Sequence, residues 1–133
     1  MIALTAILLC IAAIANSIMD TLVHHFDVSI FARKNTLFWN PDLSWKNKYK
    51  NGSPAQGARF PGSTTLFVFV TDGWHLFKFV MLNSYLLAVT IPIAFLLSAS
   101  LWMTLGIFAG LKLLQGVLFN LLYHRILITN NPP

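Results

Sequence analysis

The sequence predicts an all-α polytopic membrane protein, a bundle of about four transmembrane helices with one long cytoplasmic loop. Three observations carry this expectation. Hydrophobic residues make up 56% of the 133 positions and charged residues only 10%, against roughly 45–50% and about 25% in soluble domains. The mean hydropathy is +0.68. The charges are also segregated: six of the nine cations (Arg33, Lys34, Lys46, Lys48, Lys50 and Arg59) fall between Asp27 and Ser63, and the flanking sequence is almost entirely hydrocarbon. Disorder, collagen, coiled coil and disulfide scaffolds all require other compositions.

The first span is expected over about 2–26. Ala13-Ile14-Ala15 has the small-x-small form of a signal-peptidase site, but no Lys or Arg precedes the apolar run, and a retained helix is expected. Asn16, Asp20 and His24 keep helical spacing with the residues before them, whereas His25 points about 100° away. The loop over 27–63 carries turn signals at Asn40-Pro41-Asp42, Lys50-Asn51-Gly52 and Pro61-Gly62. Phe38, Trp39, Trp45, Tyr49 and Phe60 are interleaved with its lysines, a mixture suited to the headgroup layer. Lys46, Lys48 and Lys50 are the candidate clamp for anionic headgroups. The charge of this loop belongs to no folded basic face, so nucleic acid is not an expected partner.

Ser63-Thr64-Thr65 is expected to cap a second span over about 65–82, and Asn83-Ser84 to form a turn before a third over about 85–102. Pro92 should kink the third without ending it. A break near Ser98 to Thr104 leads to a fourth span over about 104–127, where Gly106 and Gly110 form a small-xxx-small pair. That pair is the expected contact with a second copy or a larger membrane complex. The positive-inside bias places the loop in the cytoplasm, with both termini outside, most simply in a bacterial inner membrane.

An ionisable side chain inside a bilayer costs about 2.5–3.5 kcal/mol on insertion scales, so each needs a partner. Counted at ~1.5 Å per residue from the expected inner boundaries, Asp20 lies ~9 Å deep, Asp72 and Lys112 ~12 Å and His75 ~16 Å. Asp20-x3-His24 and Asp72-x2-His75 each share a helix face. Two helices that each offer a carboxylate and an imidazole form a mixed donor set for a transition metal such as Zn, Fe, Mn or Cu. His124, near the far end of the last span, stands apart from this cluster.

The strings NPDLSWKNKYKNG and STTLFVFVTDGWHLFK, with a first helix of the form N-x3-D-x3-H, resemble segments of small uncharacterised bacterial polytopic membrane proteins. The resemblance covers the chain to about Leu82 and implies no activity. Asp20-x3-His24 is also similar to part of the copper-binding motif in one subunit of membrane methane and ammonia monooxygenases. That motif continues with a His thirteen residues on, where this chain has Leu37, so no residue role is carried over.

The leading expectation is a membrane-embedded metal-dependent enzyme or metal-binding protein acting on a lipid-like or small apolar substrate. Asp20, His24, Asp72 and His75 would be ligands, Lys112 would stabilise a developing anion and Asn16 would orient a ligand. The alternative is a non-enzymatic subunit or small channel-like protein whose buried charges pair helices or carry protons.

Overall fold

The computed structural model describes residues 1–127. Among them there is no strand, and three helices are long and apolar enough to cross a membrane: α1 (Ile2–His24), α4 (Gly73–Leu96) and α5 (Leu101–Leu121). Two single-turn helices, α2 (Thr36–Trp39) and α3 (Pro41–Ser44), lie between α1 and α4 among several 3-10 turns. The chain divides into two compact units, one of Ile7–Tyr85 and one of Met1–Ala6 with the residues from Leu86 onward.

Three long helices stand where the sequence predicts four, because the expected second and third spans are one helix that begins later. Residues 64–71 carry five β-branched side chains, Thr64, Thr65, Val68, Val70 and Thr71, which lose rotamer freedom in a helix. They form turns and a 3-10 turn at Val68–Val70. Ser63 caps nothing: it is fully buried and its hydroxyl donates to the Lys48 carbonyl at 2.7 Å. Asn83-Ser84 does not break α4 either. The Asn83 amide folds back onto the Phe79 carbonyl one turn earlier, at 2.6 Å, and Ser84 is buried.

Within the first unit, α1 buries Ala12, Ala15, Met19 and Leu22, a stripe at helical spacing. At ~100° per residue, Asn16, Asp20 and His24 are centred about 120° round the helix from that stripe, and all three are exposed. The connection to α4 is built from small local bonds. Asn35 and Asn40 cap α2 and α3 by accepting from the Leu37 and Asp42 amides at 3.0 and 2.9 Å. Asn47 ties the segment together across 24 residues, its amide donating to the Thr71 carbonyl at 3.1 Å and also to the Leu37 carbonyl.

In the second unit α4 runs through Pro92 and ends in a Schellman turn. The Ala99 amide donates to the Ala94 carbonyl at 2.8 Å, the Ser98 amide to the Phe95 carbonyl at 3.1 Å, and Ser98 takes the left-handed φ of 49° that this turn demands. Two residues later Ser100 starts α5, its hydroxyl accepting from the Met103 amide at 3.3 Å. The expected break near Ser98 is therefore present, a few residues earlier than predicted. No residue of α5 is buried, and Trp102 is 80% exposed. Gly106 and Gly110 face open space, with nothing within 4 Å of where a Cβ would stand. An apolar surface this extensive is not found on monomers in water and suits hydrocarbon as the solvent.

A left-handed backbone is strained for serine and free for glycine. Ser98→Gly is expected to stabilise the protein by about 0.5–1 kcal/mol, seen as a raised midpoint of thermal unfolding in detergent, and Ser98→Val to lower it.

Candidate functional site

Asp72 organises the start of α4. Its backbone carbonyl accepts the first helical bond, from the Leu76 amide at 3.1 Å, and its Oδ1 accepts from the His75 amide at 2.9 Å. That is the geometry of an N-cap aspartate. The second oxygen, Oδ2, faces the His75 ring at 2.7 Å from Nδ1 and also accepts from the Thr71 hydroxyl at 3.1 Å. An ionised carboxylate can only accept, so Nδ1 of His75 is the donor in this pair, and Nε2 is the nitrogen that carries the lone pair when the ring is neutral. The side chain of Asp72 is 2% exposed and that of His75 23%. Both border a cavity of about 70 Å³ walled by Trp45, Trp74, Pro41 and Ser44, with the Trp74 ring edge-on to the imidazole at 5.0 Å.

Packing holds this corner in place. Gly73 lies under Trp39 so closely that a Cβ would stand 2.8 Å from Trp39 Cε3 and 3.5 Å from Leu22 Cδ1. Trp39 is itself stacked on Phe31 at 4.8 Å and tilted against Phe77 at 6.1 Å. The last buried turn of α1, the connecting segment and the first turn of α4 therefore meet at one glycine, directly beside Asp72.

The other residues expected at a shared site are distributed differently. Asp20 is exposed and accepts from the Asn16 amide at 3.2 Å, one turn away on its own helix. His24 lies beside His25, ring centroids 6.4 Å apart. Both line a cleft of about 450 Å³ with Asp27, Asn40 and Asp42, so His25 shares the surroundings of His24 although it was expected to point elsewhere. Among the described residues no three His, Cys, Asp or Glu side chains gather as a metal site, and the expected four-ligand set is not assembled. The reason is that Asp72 caps α4 instead of lying inside a span, so its counted depth does not hold, and the Asn16-Asp20-His24 stripe faces away from the buried side of α1. Lys112 stands eleven residues into α5, its ammonium 5.7 Å from the Phe108 ring centroid. Lys78 lies 4.7 Å from the ring of Trp74, one turn back. The side chain of His124 lies outside the described part of the structure.

Family models, curated proteins and solved structures contain no match to this chain. Its chemistry is therefore read from its own geometry.

Ser44 and Trp45 are site neighbours that helical spacing could not reveal, since they reach the dyad through the folding of the connection, whereas Thr71 adjoins Asp72 in the chain. The cap itself had a signal, an Asp-Gly step directly before an apolar run. Asp72→Ala is expected to lower stability by about 1–2 kcal/mol and Asp72→Asn, which still caps, by less. Gly73→Ala is expected to cost about 1–3 kcal/mol through the clash with Trp39. Thermal unfolding followed by tryptophan fluorescence measures all three.

Proposed function

We propose that this chain is an integral membrane protein in which His75, held by Asp72, acts as a general acid–base group on a lipid-like or small apolar substrate at the membrane surface. The observation that supports this reading is the 2.7 Å bond from His75 Nδ1 to a carboxylate that is itself buried, with both residues bordering a small cavity. A base fixed by a third group is the recurring arrangement of acid–base catalysis. Nε2 takes a proton from a water or hydroxyl nucleophile, the imidazolium is stabilised by Asp72, and the same proton passes to the leaving group.

A transition metal would use Nε2 as its ligand position, with Asp72 behind the ring as orienting carboxylate. The described residues do not gather the further donors it needs. Asn16 bonds Asp20 on its own helix, the Lys112 ammonium lies 5.7 Å from the Phe108 ring centroid, and neither is assigned a part in this reaction.

If all three long helices cross the membrane, the two ends of the chain would lie on opposite sides, whereas four crossings would leave both outside. The segment between α1 and α4 holds six of the nine cations, and the positive-inside bias makes it cytoplasmic. A second reading rests on Asp72 Oδ1: a non-enzymatic membrane subunit in which the carboxylate only starts α4.

The full chain in liposomes of phosphatidylglycerol, phosphatidylethanolamine and diacylglycerol, with products followed by mass spectrometry, decides between the two. The catalytic reading expects conversion of one lipid class, reduced about 10²–10⁴-fold in His75→Ala and also lowered in Asp72→Asn. No conversion by folded wild-type protein, or His75→Ala as active as wild type, leaves the subunit reading. For the topology, Gln56→Cys in a Cys10→Ala background is expected to react with a membrane-impermeant maleimide only from the cytoplasmic side.

A further inference from the structure

The connection between α1 and α4 holds two neighbouring cavities that the dyad does not use. One, of about 250 Å³, is lined by Lys46, Asn47, Tyr49, Asn51, Gly52 and Arg59. The other, of about 300 Å³, shares Asn47 and Arg59 with it and adds the apolar side chains of Leu37, Phe38, Phe60 and Val70.

Backbone pairing creates the first cavity. An antiparallel bridge joins Tyr49 to Ala58, with the Lys50 amide donating to the Gly57 carbonyl and the Arg59 amide to the Lys48 carbonyl, each at 3.0 Å. The turn between them closes through Asn51 and Gly52, at left-handed φ of 50° and 72°. Arg59 is thereby fixed beside residues 46–49, thirteen positions from Lys46 in sequence. Asn47 is anchored by its amide bonds to the Leu37 and Thr71 carbonyls, so the wall common to both cavities is a fixed one.

The residues that line the first cavity include one lysine, one arginine and two asparagines, and no carboxylate. The expected trio is thus rearranged. Lys46 lines the first cavity together with Arg59, and Lys48 and Lys50 line neither; the Lys46 and Lys48 ammonium groups lie 5.6 and 5.4 Å from the Trp45 and Tyr49 ring centroids. An arginine and a lysine that line one cavity suit the tetrahedral oxygens of a phosphate, the guanidinium by paired hydrogen bonds and the ammonium as a point charge on a flexible stem. The apolar neighbour suits the glycerol and first acyl carbons that follow a phosphate in a lipid.

We propose that Lys46 and Arg59 form a phosphate-binding pocket for a phosphate ester, the headgroup of an anionic phospholipid or a free one. This inference does not depend on His75 acting as a base.

The test uses the full chain in detergent with short-chain brominated phosphatidylglycerol as probe, read by quenching of tryptophan fluorescence. Brominated phosphatidylcholine is the reference, and 0.3 M salt screens distant charges. Wild-type protein is expected to favour phosphatidylglycerol. Lys46→Met and Arg59→Met, which keep the apolar stems, should each weaken binding about fivefold and together about thirtyfold. Lys50→Met, the same charge lost outside the pocket, should stay within about twofold. Circular dichroism confirms folding, and Arg59→Lys, which keeps the charge and loses the paired donors, gives the answer if Arg59→Met unfolds. Displacement by inorganic phosphate at probe concentration identifies a free phosphate ester; failure to displace identifies the lipid headgroup. Equal loss in Lys50→Met and Arg59→Met, or no preference over phosphatidylcholine in wild type, overturns the proposal.

Discussion

The carboxylate of Asp72 carries the constraint on which the rest of the Ile7–Tyr85 unit depends. A helix leaves its first amides without partners, and a buried one must be satisfied by a side chain. Asp72 supplies one partner through Oδ1 and uses Oδ2 to fix His75 and Thr71. Thr71 is in turn bound through its carbonyl to Asn47. One side chain therefore starts the helix, orients an imidazole and anchors the preceding connection.

The aromatic residues around that corner explain why the connection folds at all. A segment this polar, with so few aliphatic side chains, cannot form a conventional core. It uses flat rings against glycine backbone and against one another: Trp39 on Gly73 and Phe31, Trp74 beside His75, and Phe69 stacked on Phe79 at 4.2 Å. Such rings bury large areas while leaving polar edges available to headgroups and water. The cations then sit on the ring faces, Lys46 at 5.6 Å from Trp45 and Lys48 at 5.4 Å from Tyr49, and contribute cation–π attraction along with charge.

The dyad and the basic pocket belong to the same connection. Asn47 links them physically, since its amide holds the residue before Asp72 and its side chain lines both basic cavities. A cavity lined by Lys46 and Arg59 and an oriented imidazole in one segment suit the proposed chemistry on lipids. Each element also has a structural use of its own.

Composition and charge segregation were enough to read an all-helical chain suited to a membrane, because the bilayer demands long apolar helices whatever their partners. The first helix followed from its apolar run and the spacing of Asn16, Asp20 and His24, the break near Ser98 from the clustered hydroxyls of Ser98, Ser100 and Thr104, and the shared face of Asp72 and His75 from their spacing. The start of α4 did not. A run of hydroxyl and β-branched residues ahead of Asp72 reads as apolar helix, and only the burial of Ser63 under Lys48 and of Gly73 under Trp39 shows that the helix begins eight residues later than Thr65. Which cations share a cavity was equally hidden, because Arg59 meets Lys46 through a backbone bridge that no periodicity announces. Periodicity along one helix is decided by covalent geometry and is legible in the chain; contacts between segments are decided by which surfaces exclude water together, and only the folded structure holds that answer.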